Sequence, residues 1–487
     1  MAVYDVVIIG GGIVGTAVAR QLSSFRLMVA LLEAYPDISC GTTKANGGVV
    51  HSGYSAKHGT LKAKLNVLGN RAYPRLASEL GFKYVNTGSL VVGFDGSDAD
   101  YIKHLYDNGL ANGVAGLALL NLEQARTIEP RLNPEAKIFL YAPTAGIVDP
   151  FEVALAQAEN AAANGVAVYR NCAVTGIGRA AGEFILQTGQ GDFTARTVVN
   201  AAGVYADAVA SMAGQKDLNI KARLGEVLVL DKELGFSLNT VLFPLPSGPS
   251  KGIVVIPTVS GNTLVSATAR LVEDKEDVAT TRVGVQELIA GGRRLIPEIG
   301  AHKVIREFSG LRAVAEGTGD DFVVGPVPGL PGFINAAGIQ SPGIASAPAI
   351  AGMVVGLLAD QGLDLQDKPD FNPYRQAPVS CSKLTDAERD ELIRSNPAYG
   401  QVVCRCEGVT AGEIADAIRG PVGATTIDGV KRRTRAGMGR CQGGFCQPRV
   451  LAILARELGR DPWDIWLEYQ DSAVVNGLLK EVRSDGK

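Results

Sequence analysis

The sequence predicts an α/β protein of two or three domains, and three observations carry that prediction. The chain opens on an apolar strand, a glycine-rich turn and a helix. Apolar strand patterns and Ala-rich helical stretches recur to about residue 370. Beyond a breaker-rich stretch, two close cysteine pairs mark a separate small unit. At 487 residues the chain is long enough for each unit to bury a core.

Composition narrows the class. Apolar residues make up 46% of the chain and charged residues 20%, as in ordinary globular proteins. With 50 acidic and 47 basic residues the formal net charge is −3, which argues against nucleic acid as the main partner. Glycine contributes 59 residues against a typical share of ~7%. With no collagen period, that excess belongs in turns where backbone approaches a ligand. No apolar run reaches the ~18–20 residues of a membrane span. The start, MAVYDVVIIGGG, lacks the basic region of a signal peptide, so a cytoplasmic protein is expected.

Residues 4–9 are apolar and β-branched, the pattern of a buried parallel strand. Gly10, Gly12 and Gly15 follow in G-x-G-x-x-G spacing, then a helix over 16–22 and a second strand over 27–32 that ends in Glu33. Gly10 permits the tight turn, Gly12 lets a pyrophosphate approach the helix N-terminus, and Gly15 lets helix and strand pack. Glu33 suits both ribose hydroxyls of an adenosine. The fingerprint does not separate FAD from NAD, although one copy at the N-terminus suits FAD better.

Later glycines extend the pattern. Residues 41–53 (GTTKANGGVVHSG) form a small-residue loop with a short strand; 198–207 (VVNAAGVYAD), 310–312 (GLR) and 332–343 (GFINAAGIQSPG) follow, the last opening a helix over 345–358. This order resembles the D-amino-acid-oxidase-like flavoproteins, which include glycerol-3-phosphate dehydrogenases and L-2-hydroxyglutarate oxidases, over about residues 1–370. The resemblance implies a Rossmann-like FAD-binding domain (about 1–75, 141–223 and 307–370) interleaved with a mostly antiparallel substrate-cap sheet (about 76–140 and 224–306). Beside Gly10, Gly12, Gly15 and Glu33, it implies cofactor contacts at Thr42, Thr43, Gly47 and Gly48, at Val174, Ala202 and Gly203, and at Gly338, Ser341, Gly343 and Ile344.

Oxidising a C–H beside a hydroxyl or amine needs a base and an anion anchor. Arg312 stands where the resemblance places a substrate-holding arginine, suited to carboxylate or phosphate; the plainer alternative is an ion pair with Glu307, Glu316, Asp320 or Asp321. His51 is one of four histidines and a suitable base, or else a satisfied core residue. Lys57, His58 and Lys62 read as surface residues or weaker phosphate contacts. Cys40, Cys172 and Cys381 read as structural.

Residues 371–399 read as a linker and 400–487 as the last domain. Cys404 and Cys406 form a C-x-C pair; after 34 intervening residues Cys441 and Cys446 form a C-x4-C pair. Four thiolates in two pairs hold zinc or an iron–sulfur cluster, and zinc more often uses C-x2-C pairs. The pattern, with Gly439, Gly443 and Gly444 beside it, resembles the bacterioferritin-associated-ferredoxin-like module, a small helical domain carrying a 2Fe–2S cluster, over about residues 400–455. The basic run 431–435 either raises the cluster potential, forms a solvated face, or docks an acidic redox partner.

Together the modules imply a dehydrogenase that passes electrons from FAD to the cluster and on to a partner protein. Its substrate is a small anion: sn-glycerol 3-phosphate from the tail's likeness to anaerobic glycerol-3-phosphate dehydrogenases, or L-2-hydroxyglutarate or another 2-hydroxy or amino acid from residues 48–53 and 59–65. An electron-transfer subunit or redox sensor without its own substrate is the reading from another class.

Overall fold

The strand Val3–Ile9 runs through the middle of a largely parallel sheet, and its apolar half Val6–Ile9 is buried there. Strand Val29–Leu32 lies on one side of it and Phe193–Asn200 on the other, both parallel to it. Ala167–Tyr169 extends the sheet beyond Val29–Leu32, and Phe333–Ala337 adds a further parallel strand beside Phe193–Asn200. The computed structural model describes residues 3–234, 237–246 and 252–477.

Helix Ile13–Leu22 packs on helices Pro150–Ala163 and Gly343–Asp360, and the last of these also packs on Leu61–Leu80. By length and composition Gly343–Asp360 is apolar enough to cross a membrane, the run the sequence was expected to lack. Here Ala347, Ile350, Val354 and Leu358 are fully buried in the core, which accounts for the apolarity.

A nine-stranded sheet caps the first. Strands Ser89–Gly93, Ala118–Asn121 and Ile138–Ala142 come from one inserted segment, and Ile220–Leu230, Val241–Pro244, Val254–Pro257 and Thr263–Ser266 from the other. The two join where Val241–Pro244 pairs parallel with Ser89–Gly93; the remaining pairs are antiparallel. The long strand Val304–Ala315 belongs to this sheet, paired along Ile220–Leu230. The sheet therefore begins before residue 224 and continues past 306, beyond the segment limits expected from the sequence.

The breaker-rich stretch 371–399 is not free chain. Arg375 binds Glu159 at 2.6 Å and the Leu80 carbonyl, and a capping box at Thr385 and Glu388 starts helix Asp386–Ser395. The cysteine-bearing unit follows, with hairpin strands Val402–Cys404 and Val409–Thr410 and helices Ala411–Arg419, Ile427–Thr434 and Gln447–Leu458 around Ile414, Val430 and Leu454.

Candidate functional site

One cavity of about 2010 Å³ runs from the glycine turn, past the loop at residues 41–48, to the capping sheet and the C-terminal unit. Backbone geometry explains the glycines at its head. Gly10 has φ +107°, and a Cβ there would lie 2.4 Å from the Ala201 oxygen. A Cβ on Gly15 would lie 1.9 Å from the Gly10 oxygen, so helix and strand meet there. Gly12 is different: a Cβ would meet only the Thr43 hydroxyl, at 3.2 Å, because Gly12 faces the cavity at the helix N-terminus. The cradle suits a pyrophosphate, with Thr43 Oγ1 accepting from the Ile13 amide at 3.0 Å.

Glu33 is buried and accepts hydrogen bonds from the Gly11 amide at 2.6 Å and the Tyr35 amide at 2.9 Å. Burial pushes its carboxyl up to about 7 despite those two donors. It lines the cavity where a ribose would need an acceptor, and it also braces the glycine turn, a duty the sequence did not disclose.

The flavin-end residues gather around the same space. Thr42 donates to the Leu311 carbonyl at 2.6 Å, tying the loop to strand Val304–Ala315. Gly48 has φ +66°, with a Cβ position 2.1 Å from the Val148 oxygen, while Gly47 packs under Ile256. Val174, Ala202, Gly203, Ser341, Gly343 and Ile344 also line the cavity. Gly338 does not. It turns the chain at φ +63° against Ala315, just ahead of the lining residues Ile339–Ile344.

Arg312 lies directly across the strand pair from Arg223, and both line the cavity. Arg312 donates to the Thr268 carbonyl at 2.5 Å. The acids considered as its partners are occupied elsewhere or unpaired with it: Glu316 meets Lys221 at 3.5 Å, Asp320 meets Lys62 at 2.7 Å, and Asp321 accepts from the Leu61 and Lys62 amides. Among the described residues no carboxylate forms an ion pair with either arginine. Burial, and then Arg223, draws the Arg312 guanidinium down to about 10, so it still carries its charge at neutral pH. Gly225 makes the arrangement possible, since a Cβ there would sit 2.0 Å from Arg312 Nη2. Two adjacent guanidinium groups opening on a cavity have the chemistry to hold an anion.

His51 lines this cavity as well. Its Nε2 lies 3.4 Å from Ser341 Oγ, its ring packs 5.5 Å from that of Phe243, and its carbonyl is held by Asn66 and Asn70. Lys57 and His58 are exposed, but Lys62 is buried in its ion pair with Asp320, a correction to the surface position expected for it.

In the C-terminal unit the cysteines approach in pairs. Cys406 Sγ lies 3.8 Å from Cys441 Sγ, and Cys446 is buried beside Cys404. Tetrahedral ligands ~2.3 Å from one metal stand about 3.8 Å apart. No three Cys, His, Asp or Glu side chains among the described residues converge on one ion. Two sulfur pairs without a third ligand each fit a binuclear cluster, in which bridging sulfides complete each iron, better than a lone zinc ion. The Phe445 amide, with those of Gly443 and Gly444 in the loop before helix Gln447–Leu458, draws the Cys441 thiol below its ordinary value. Burial and the neighbouring Cys404 push Cys446 up to about 12. Gly439 is obligatory, because a Cβ there would lie 2.2 Å from Cys406 Cβ.

The basic run 431–435 is mostly a joint between the units, a correction to the solvated or partner-docking face considered from sequence. Arg433 and Arg432 bind the fully buried carboxylate of Asp37 at 2.7 and 3.0 Å, and Arg432 also binds Glu468 at 2.6 Å. Arg435 reaches Glu407 and Asp149, while Lys431 pairs with Asp428. Burial alone would raise the Asp37 carboxyl, but Arg433 first, then Arg432 and Arg170, hold it well below the usual carboxylate range. Asp37→Ala should cost about 3–5 kcal/mol by stranding two buried guanidinium groups, measured as a fall in denaturant midpoint. A depressed carboxyl stabilises only while ionised, so the wild-type midpoint should fall faster than that of Asp37→Ala as the pH drops below the ordinary Asp value of about 4.

Comparison with known proteins agrees with this geometry. The family model described as FAD dependent oxidoreductase matches residues 5–357, and the BFD-like [2Fe-2S] binding domain matches residues 402–456. A glycerol 3-phosphate dehydrogenase of Caloramator mitchellensis is 41% identical over 98% of this chain and 99% of its own length. Subunit A1 of an anaerobic glycerol-3-phosphate dehydrogenase from Haloferax volcanii is 28% identical over 93% of this chain and 83% of its own. The solved L-alpha-glycerophosphate oxidase of Mycoplasma pneumoniae with FAD bound superposes with a TM-score of 0.74 at 30% identity, covering 78% of this chain and all of that one. The chain belongs to the FAD-dependent oxidoreductase family, with FAD as its flavin cofactor and a C-terminal domain of the BFD-like 2Fe–2S class.

Proposed function

We propose that the protein oxidises sn-glycerol 3-phosphate to dihydroxyacetone phosphate and exports the electrons one at a time to a partner protein. The observation that carries the substrate is the cross-strand pair Arg223 and Arg312, both lining the cavity; Arg223 reaches Asp320 only through Gln340, and neither forms a direct ion pair among the described residues. Two neighbouring guanidinium groups match one dianionic phosphate better than a single carboxylate, or the two separated carboxylates of a hydroxy diacid. The likeness to the Caloramator mitchellensis dehydrogenase along nearly the whole chain supports the same substrate.

Each residue then has a task. Arg312, held by the Thr268 carbonyl, and Arg223 grip the phosphate and fix the alcohol carbon in the cavity. His51 Nε2 takes the hydroxyl proton, with Ser341 Oγ beside it. Phe243 and Ile256 border the cavity and keep water from the reacting carbon. FAD held at the Gly10–Gly15 turn and the loop at residues 41–48 would supply the hydride acceptor, and a 2Fe–2S cluster held by Cys404, Cys406, Cys441 and Cys446 would supply one-electron transfer.

Anaerobic titration of the purified protein tests the reading. Glycerol 3-phosphate should bleach the visible flavin band where 2-hydroxy acids and amino acids do not; bleaching by a hydroxy acid alone would reject the substrate. Arg312→Lys should retain its flavin but lose bidentate grip on the phosphate. Half-saturation for bleaching should then rise about thirtyfold, on the order of 2 kcal/mol. An unchanged half-saturation would move the anchor to another residue.

A further inference from the structure

Phe445 is 84% exposed, although it sits between Gly444 and the buried Cys446 in the cysteine loop. Beside the same sulfurs Cys406 is exposed and Val402 is 50% exposed. A large aromatic side chain left in water at a redox centre is apolar area that folding does not use. Its neighbours along the chain carry charge of one sign. Residues 402–406 and 439–449 contain no Asp or Glu, and Arg405 and Arg449 are exposed and form no ion pair among the described residues. Arg440, by contrast, is tied to Asp231 and Glu233, and Glu407 is buried against Lys232 and Arg435. Aromatic and arginine side chains on a largely acid-free face are the composition of a binding hot spot.

We propose that this face docks an acidic one-electron carrier protein, with Phe445 as its apolar anchor and Arg405 and Arg449 meeting the carrier's carboxylates. The inference rests on the dehydrogenase reading above and adds the exit. An exposed cysteine ligand gives electrons a short path out, and a basic rim steers an acidic partner toward it. The electrons balance: one alcohol gives up two electrons and two protons, two oxidised carriers gain one electron each, and the protons pass to solvent.

The probe is a plant-type 2Fe–2S ferredoxin with an acidic surface, titrated calorimetrically into the oxidised holoenzyme. Wild-type protein should bind it, and more weakly as salt rises. Phe445→Ser and the double variant Arg405→Glu, Arg449→Glu should each raise Kd about tenfold or more, with the flavin and cluster absorption unchanged. Photochemically reduced holoenzyme should show the same loss in its rate of ferredoxin reduction. That arm involves no substrate, so a failure of glycerol 3-phosphate to bleach the flavin leaves the docking result standing and rejects only the substrate. Should Phe445→Ser lose its cluster spectrum, the arginine double variant decides. Wild-type Kd in the variants, no ferredoxin complex at all, or binding only to phosphatidylserine vesicles overturns the proposal.

Discussion

Gly12→Val protein should purify folded and free of flavin. Gly12 has φ −78° and ψ −177°, extended backbone that valine adopts without strain, so the substitution has no conformational reason to unfold the chain. Its Cβ would find only the Thr43 hydroxyl within 4 Å. The two methyl groups would then project into the cavity, over the first amides of helix Ile13–Leu22, where a pyrophosphate must come within hydrogen-bond distance of backbone N–H groups. A branched side chain there excludes the phosphates outright, so the expected flavin content is near zero. Gly15→Val is the contrasting variant. Its Cβ would lie 1.9 Å from the Gly10 oxygen, so that protein should fail to fold. Flavin absorbance per chain and far-UV circular dichroism separate the two outcomes. A Gly12→Val protein that releases one flavin per chain on denaturation would remove the glycine turn from the cofactor site.

These two glycines also show which features a sequence displays. Gly10, Gly12, Gly15 and Glu33 lie within one strand-turn-helix-strand unit, so spacing alone assigns their places, and the structure repeats that unit. The four cysteines are legible for the same reason, as two short local pairs. Arg312 was found through its place in a family pattern, whereas Arg223 escaped notice. Its position opposite Arg312 depends on the register between Ile220–Leu230 and Val304–Ala315, strands some ninety residues apart, and no local motif encodes that register. The basic run 431–435 was misread because the carboxylate it meets, Asp37, lies about 395 residues away in the chain. Lys62 was placed at the surface because lysine is seldom buried unpaired, and its partner Asp320 is also remote. Local chemistry is legible; pairing across the fold is not.

Cys441→Ser should separate substrate oxidation from electron export. The Cys406–Cys441 pair loses one sulfur, and a serine hydroxyl is a poor replacement for a thiolate that three backbone amides are placed to stabilise. Iron content and cluster absorption should fall to near background. The residues assigned to the alcohol, Arg223, Arg312 and His51, all lie in the flavin cavity outside the cysteine unit, so substrate bleaching of the flavin should persist at close to the wild-type rate. Turnover with a one-electron protein acceptor should collapse, because reduced flavin is left without its relay. Unfolding of the unit would mimic that loss, but Cys441 is only partly buried, whereas the core around Ile414, Val430 and Leu454 and the Asp37–Arg433 joint do not include it. An unchanged flavin content and a single melting transition near that of wild type would show that the joint survives. Full turnover in a cluster-free protein would mean that electrons leave directly from the flavin, reducing the four cysteines to a structural role.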